Sequence, residues 1–410
     1  MLGASSARKI AIIAAVGCAA AAVFLAWRLT GFLQPQFGLN SAAVAAAVEQ
    51  FSAAQRRAAA EYNAHIVWPI TLSLLATTVV YVVIGFTSLG ERLASWATRR
   101  FRRLSWLMIA LVITVLGSCA AFGFDVWAFA VRTEAGLSVA SFAAWLTDWA
   151  ITKGITLLVV SFAVAVLAIS SRFARSMWWL PAGVVAGAAV MIGAWLAPVV
   201  IEPLFTHTSP LSATRYADQA AGIRALAAKD DFNVTELLVA DASSKTTTLN
   251  AYVSGLNGRI VLYDTLLEAA DPDEVRMVVA HELSHAKHND VLIGALIGSV
   301  AVAACVALLG ALFPRLDAWR IPRLLAVVSI VMVLALPATN FISRSLEWRA
   351  DQHAIALTGD PEGFITMQLN LAVANKSALS PPAWRYWWFF THPTSPQRIA
   401  LGNASVKTRP

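Results

Sequence analysis

The sequence contains few charged residues and very few cysteines. Charged residues make up 13% of its 410 residues, whereas hydrophobic residues make up 58%. The mean hydropathy is +0.65. A soluble globule of this length needs far more polar surface than this composition supplies. The chain is therefore predicted to be a membrane protein.

Cysteine is nearly absent, with three residues in the whole chain. Cys18, Cys119 and Cys305 all lie inside apolar stretches, where a lone cysteine behaves as a small hydrophobic residue. This pattern indicates no disulfide framework and does not identify a redox compartment. The sequence also lacks a glycine-rich phosphate loop and an internal repeat of solenoid period.

Acidic residues are outnumbered, and the formal net charge is +7. A cluster of four arginines, Arg99, Arg100, Arg102 and Arg103, lies between two apolar stretches. Basic residues in that position orient helices in a membrane. We therefore expect membrane lipid, and not nucleic acid, as the partner of this charge.

Seven uncharged stretches are long enough to cross about 30 Å of hydrocarbon as helices. They are residues 10–27, 62–90, 104–124, 154–171, 176–201, 291–314 and 324–343. The first stretch follows Arg8 and Lys9, as a signal peptide would, but its 18 uncharged residues exceed a usual signal core. A retained anchor is the preferred interpretation, with a cleaved signal as the alternative.

Three polar segments separate these stretches. Residues 40–61 are alanine-rich and fit a surface helix, and residues 132–149 fit an amphipathic segment lying along the bilayer. The largest polar block, residues 202–290, is long enough to form a small domain between the fifth and sixth spans.

Within this block the residue pattern predicts two helices with strands between them. Residues 211–229 have helical periodicity. Residues 249–254 and 259–263 are rich in strand formers, and the strong turn signal Asn257-Gly258 between them predicts a β-hairpin. Asp271-Pro272-Asp273-Glu274 then has the signature of a helix start.

The second predicted helix carries His281-Glu282-Leu283-Ser284-His285, six residues before the sixth span. Histidines four residues apart project from one helix face and can reach one metal ion, while Glu282 faces the same cleft as a general base. The chain has only seven histidines, so coincidence explains this spacing poorly. The sequence therefore predicts one zinc ion, with Glu282 as a catalytic residue.

A catalytic zinc ion normally takes three protein ligands and leaves a fourth position for water. The candidates for the third ligand are His288, Glu347, His353, His392 and several aspartates. His288 is offset from the stripe of the other two and is expected to be a surface histidine. Consecutive spans are antiparallel, so Glu347 and His285 lie at the same membrane face, each within about 10 Å of it. Membrane geometry therefore allows Glu347 to be a ligand.

Asp351 follows Glu347 by one helical turn on the same face. It is placed to accept a hydrogen bond from the second nitrogen of a ligand histidine, which fixes the ring tautomer. The alternative for both carboxylates is a solvated helix face paired with Arg344 or Arg349.

Taken together, these motifs resemble the type I CAAX prenyl protease family of seven-span zinc metalloproteases. The resemblance takes in the 281–285 motif, Ser343-Arg344-Ser345-Leu346-Glu347-Trp348-Arg349-Ala350-Asp351, His392-Pro393 with Arg398 downstream, Ile201-Glu202-Pro203-Leu204-Phe205 leading to Pro210-Leu211, Asn250-Ala251-Tyr252, and the 132–148 segment. It covers approximately residues 130–400 by motif and the whole chain by number of spans.

The resemblance implies an α-helical polytopic membrane protein of about seven transmembrane helices. A zincin-type catalytic domain of helices and a small β-hairpin or sheet lies between spans five and six and after span seven. It also implies that Glu347 is the third zinc ligand and that Asn250-Ala251-Tyr252 lies on an edge strand that pairs with the substrate backbone. His392 and Arg398 would contact the substrate or the transition state. By themselves, these last two residues indicate only a capped surface turn.

The expected organisation has four parts. Residues 1–201 form a membrane region with five spans, residues 202–290 a zinc-protease domain, residues 291–343 spans six and seven, and residues 344–410 a third-ligand helix followed by a substrate-contact segment. The predicted function is zinc-dependent hydrolysis of peptide bonds in membrane-associated or exported polypeptides. The alternatives are a site-2 type intramembrane protease, which embeds this motif in a span, and a seven-span receptor or transporter without zinc. The oligomeric state is not predicted.

The distribution of basic residues predicts the orientation of these spans. With a cytoplasmic N-terminus, twelve arginines and lysines lie in the cytoplasmic segments and five in the opposite short loops. This bias places the zinc domain on the outer side of the cell membrane. In the eukaryotic members of the family the zinc site faces the cytosol, and this orientation is the alternative here. If the zinc domain faces outward instead, a prenylated cytosolic substrate is doubtful.

Overall fold

The structure is a computed structural model that describes residues 4–31, 39–256 and 258–407. The first half of the chain consists of helices. They are α1 (Ala4–Thr30), α2 (Ser41–Val48), α3 (Ala53–Phe86), α4 (Ser88–Phe101), α5 (Ser105–Glu134), α6 (Phe142–Ala174) and α7 (Trp179–Leu196), which a π-helical turn, Ala197–Ile201, extends.

The second half combines a small sheet with eight further helices. In chain order these are β1 (Thr208–Pro210), α8 (Gln219–Lys229), β2 (Glu236–Ala240), β3 (Ala251–Ser254), β4 (Arg259–Tyr263), α9 (Asp264–Ala269), α10 (Pro272–Lys287), α11 (Asp290–Leu312), α12 (Ile321–Thr358), α13 (Pro361–Ala374), α14 (Ala383–Phe389) and α15 (Ser395–Lys407).

Seven helical segments within the described ranges are long and apolar enough to cross a membrane. They contain α1, α3, α5, α6, α7, α11 and α12, and each predicted stretch maps onto one of them. The prediction of a seven-span helical membrane protein is therefore confirmed.

Two of the polar segments predicted to be single helices are divided. Residues 40–61 form α2 and the start of α3, because Ser52 caps α3 in a reciprocal capping box with Gln55 and thereby starts a new helix. In residues 211–229, a 3-10 turn, Leu211–Ala213, follows Pro210, and the α-helix begins only at Gln219.

The amphipathic segment predicted at residues 132–149 is wrong as a separate element. The chain leaves α5 at Gly136, whose φ of +72° stops the helix, and Ser141 then caps α6 by accepting a hydrogen bond from the backbone N–H of Ala144. The predicted segment is thus the end of one span and the start of the next.

The sheet has the strand order β1-β2-β4-β3. β2 and β4 are parallel, whereas β1 pairs with β2, and β3 with β4, in antiparallel fashion. Ala251 lies opposite Leu262, which confirms the predicted hairpin. Of its turn signal, Asn257 lies outside the described residues, and Gly258 has a φ of +66°. β3 forms one edge of the sheet.

One continuous helix, α12, runs from the membrane into the core of the polar domain. α12 runs for 38 residues without a break. Beyond the membrane-spanning part, its buried residues Trp348, Ala354 and Ile355 pack with Leu283 of α10 and with residues of the sheet. This packing fixes the position of α10, the helix that carries the two motif histidines, relative to α12.

The loops that follow the odd-numbered spans meet at one end of the molecule. Phe51, after the first span, packs with Ala372 and Ile399. The hydroxyl of Thr246 donates a hydrogen bond at 2.8 Å to the carbonyl of Leu137, which follows the third span. At the opposite end, α4 packs against the 3-10 turn Ala318–Arg320. The polar domain and the arginine-rich segments therefore lie at opposite ends of the spans.

We expect Gly310→Ala to destabilise the packing of α11 on α7. A Cβ at Gly310 would lie 2.4 Å from the buried Trp179 ring, and overpacking of this kind costs about 1–3 kcal/mol. Gly294→Ala on the same helix is the matched control, because no atom lies within 4 Å of its Cβ position. Thermal unfolding in detergent should show a lower midpoint for Gly310→Ala alone. Equal midpoints would contradict this helix contact.

Candidate metal centre

Two neighbouring helices bring three ligand-type side chains to one point. His281 and His285 of α10 face Glu347 of α12. The Nε2 atom of His281 lies 3.1 Å from a carboxylate oxygen of Glu347 and 3.2 Å from Nε2 of His285. One ligand atom from each residue lies within 4.8 Å of the other two, a spacing at which all three can hold one metal ion.

The hydrogen bonds on the far side of both imidazoles show what this arrangement requires. Nδ1 of His281 lies 3.0 Å from Asp351, and Nδ1 of His285 lies 2.8 Å from Asp290. Because a carboxylate accepts, each Nδ1 donates its hydrogen and each ring directs its Nε2 atom inward. Two Nε2 atoms and a carboxylate meet there, and a bound metal ion would satisfy all three.

The electrostatics of the site also favour positive charge. Burial lowers the pKa of His281, but the carboxylates of Asp351 and Glu347 outweigh that effect and raise it to about 10. The same two carboxylates would favour a divalent cation at this point. Two imidazoles and one carboxylate, with a fourth side open to a cavity, fit the ligand set of a catalytic zinc ion.

Glu282 lies between the two histidines and lines the same cavity. Its side chain is buried, and this burial is the largest cause of the raised pKa of its carboxyl group. A carboxylate with a raised pKa is a stronger base than an exposed glutamate, as proton transfer from water requires.

Asp290 is a residue of this centre that the sequence analysis missed. It is the first residue of α11, and Asn289 before it has a left-handed backbone with a φ of 55°. This turn ends α10 and directs the Asp290 carboxylate back to His285. The polar residues Asn289 and Asp290 after the motif could have indicated a further contact. The spacing of the motif does not predict the turn that directs Asp290 to His285.

Asp351 lies where the sequence analysis expected it, and it makes a second contact that was not expected. Its carboxylate accepts hydrogen bonds from both Nε and Nη2 of Arg398, at 2.8 and 2.5 Å. Arg398, which the family resemblance places in contact with substrate, also lines the cavity. Neither carboxylate of the predicted solvated face is solvated, because Glu347 and Asp351 are both buried.

His392 reaches the centre from the segment after α14. Its Nε2 atom lies 3.3 Å from Glu347, and its side chain is 56% exposed. Arg344 holds this segment, since its guanidinium donates to the carbonyls of Tyr386 and Phe390 and lies over the Tyr386 ring at 4.4 Å. From the sequence, Arg344 was expected only as an ion-pair partner of Glu347 or Asp351.

The remaining candidate histidines lie outside the centre. His288 donates through Nδ1 to the carbonyl of Ser284 at 2.8 Å, and its ring packs at right angles against His353. His353 in turn contacts the buried carboxylate of Asp230 at 2.9 Å. Both rings are thus engaged away from Glu347.

A cavity of about 400 Å³ opens beside the three ligand-type side chains. Asn250, Ala251, Tyr252 and Val253 line it from the edge strand, opposite Glu347. The backbone N–H of Tyr263 donates to the carbonyl of Asn250. Hydrogen-bonded and non-hydrogen-bonded pairs alternate in an antiparallel ladder, so the polar backbone groups of Ala251 and Val253 point away from β4 and remain free to pair.

Comparison with known proteins shows relatives of one kind. The model of peptidase family M48 matches residues 211–402. An uncharacterized metalloprotease, YhfN, of Bacillus subtilis is 26% identical over 339 residues, which cover 78% of this chain and 79% of the relative. A CAAX prenyl protease 1 homolog of Oryza sativa is 31% identical over 230 residues, which cover 51% of this chain and 52% of the plant protein.

The fold is also similar to a solved structure. The crystal structure of S. mikatae Ste24p superimposes with a TM-score of 0.72 at 17% sequence identity, and the match covers 96% of this chain and 98% of that one. The similarity therefore extends over the spans as well as over the polar domain, while the chain spans about half the length of the plant relative.

We expect Asp351→Asn and Asp290→Asn each to weaken zinc binding by about 10- to 100-fold, because each removes a charge that orients a ligand histidine. Competition with a chelator of known affinity measures this in the full-length protein. Asp273→Asn is the matched control, since its side chain is 86% exposed on the same helix as the histidines. Unchanged affinity in both variants would contradict the supporting role of these carboxylates.

Proposed function

We propose that the chain is a membrane zinc metalloprotease, since the model of peptidase family M48 matches residues 211–402. In this proposal His281, His285 and Glu347 hold one zinc ion at which peptide bonds are hydrolysed. The observation that supports this most directly is the convergence of two imidazoles and a carboxylate, with one ligand atom of each within 4.8 Å of the other two. The match gives no support to a site-2 type intramembrane protease or to a seven-span receptor or transporter.

A bound zinc ion would polarise the scissile carbonyl and lower the pKa of a bound water to near 7. Glu282 would accept the proton of the attacking water and pass it to the leaving amine. His392, beside Glu347 and exposed to the cavity, is placed to donate a hydrogen bond to the oxygen that gains negative charge.

The substrate is a peptide or protein segment in an extended conformation. It would lie along β3 and exchange hydrogen bonds with the outward-facing backbone of Ala251 and Val253, as an added strand does at a sheet edge. Tyr252 and Asn250 line the cavity on either side of Ala251, and Arg398 lines it beyond the ligands. The polypeptides we propose as substrates are membrane-associated or exported, because the cavity lies where the spans meet the polar domain.

Glu282→Gln tests the proposed base. We expect it to retain one zinc ion per chain and to lose about 100- to 10,000-fold in turnover, because the amide keeps the shape but accepts no proton. Zinc content by elemental analysis and hydrolysis of an unfolded reporter protein measure the two properties. Full turnover in a zinc-loaded Glu282→Gln protein would exclude this mechanism.

Val253→Pro tests the strand pairing. Proline removes an outward N–H without removing a hydrogen bond to β4, so kcat/KM should fall by about 2- to 10-fold, the value of one hydrogen bond. Tyr252→Pro is the contrasting variant, because its N–H faces β4 and its loss should lower the thermal stability as well. Hydrolysis at an undiminished rate in Val253→Pro would argue against edge-strand binding.

We further propose that this multi-pass membrane protein directs its metal centre outward. The arginine-rich segments lie at the opposite end of the spans, as the excess of basic residues on a cytoplasmic face requires. A reporter active only in the cytoplasm should be inactive when fused after Pro410 and active when fused after Arg103. Activity of the fusion after Pro410 would place the centre in the cytosol.

A further inference from the structure

The Asp290 carboxylate, which contacts His285, also pairs with the guanidinium of an arginine. Asp290 is 7% exposed, and one of its oxygens lies 2.8 Å from Nδ1 of His285. The other oxygen accepts a hydrogen bond from Nη2 of Arg349, a residue of α12. Arg349 lies two residues after Glu347 and makes no contact with the ligand atoms themselves.

The second end of the Arg349 guanidinium reaches the first span. Nη1 donates at 3.0 Å to the carbonyl of Leu29, in the last turn of α1. Carbonyls in the last turn of a helix have no partner within the helix, and this end of the helix carries partial negative charge. The guanidinium therefore satisfies an orphan acceptor and is favoured there electrostatically.

We propose that the first span is a working part of the metal centre. The Leu29 carbonyl fixes Arg349, Arg349 orients the Asp290 carboxylate, and Asp290 fixes the tautomer and direction of the His285 ring. This inference rests on the proposed role of His285 as a zinc ligand. It makes Arg349 a positioning residue that acts only through Asp290.

The two ligand histidines are thereby supported by different parts of the chain. Behind His281, the carboxylate of Asp351 is held by Arg398 of α15, next to the cavity. Behind His285, the carboxylate is held by an arginine that the first span anchors. Each of the two histidines contacts a carboxylate, and each carboxylate is paired with an arginine. We therefore expect a disturbance of the first span to affect the position of His285 and to leave the contacts of His281 unchanged.

The test is the zinc affinity of the full-length protein in detergent, measured by chelator competition for Arg349→Gln, Asp290→Asn and the double variant. We expect about 10-fold weaker binding for Arg349→Gln, the low end of the effect of groups outside the ligand shell. The double variant should bind zinc no more weakly than Asp290→Asn alone, because both changes interrupt the same chain of contacts. Arg349→Lys should restore part of the affinity.

Arg28→Gln is the matched control, because Arg28 is an exposed basic residue in the same turn of α1. It should leave the zinc affinity unchanged. Wild-type affinity in Arg349→Gln, or losses that add in the double variant, would overturn the inference while leaving the zinc site in place. A wild-type protein that binds no zinc would instead overturn the proposed function, and the inference with it.

Discussion

The arrangement around the candidate metal centre depends on the convergence of two imidazoles and a carboxylate on one point, which suits a bound cation. Nε2 of His281 lies within hydrogen-bond distance of both Nε2 of His285 and the Glu347 carboxylate, and His281 and Glu347 are buried. Buried acceptors without donors are costly, so neighbouring elements must hold them together. α10 and α12 carry the candidate ligands. The side chains behind them come from α11, α12 and α15, and α1 contributes the Leu29 carbonyl. The polar domain is therefore organised around one point at the membrane surface.

Most of the candidate ligands could be predicted from the sequence because their spacing follows the helical period. The spacing of His281 and His285 needs only the helical period. The antiparallel order of spans six and seven allows Glu347 as a partner, and the family resemblance implies it. Asp351 follows from Glu347 by one turn of the same helix. The capping box at Asp271 and Glu274 is also local, and the structure contains it as expected.

The contacts that could not be predicted depend on turns or on distant backbone. Asp290 reaches His285 because Asn289 adopts a left-handed conformation, which the sequence does not specify. Arg349 bonds a carbonyl 320 positions away in the chain, and a carbonyl has no residue type to recognise. The division of residues 132–149 between two spans depends on the backbone at Gly136. Side-chain patterns therefore identified the candidate ligands, whereas the contacts that support them could be found only from the fold.

The first span and the candidate metal centre, which are far apart in the sequence, are in contact in the structure. The first span was an anchor or a signal peptide by its sequence, yet its last turn contacts an arginine that lies two residues from a proposed ligand. A chain without this span would leave part of that guanidinium, which is 25% exposed, without its backbone partner. This hydrogen bond joins the first span to the candidate metal centre.

The most direct test of the central claim is the X-ray absorption spectrum of the purified protein at the zinc edge. The account predicts one zinc ion with two imidazole nitrogens and carboxylate or water oxygens at about 2.0–2.2 Å. A sulfur shell at about 2.3 Å, or a ligand shell with no imidazole, would contradict it.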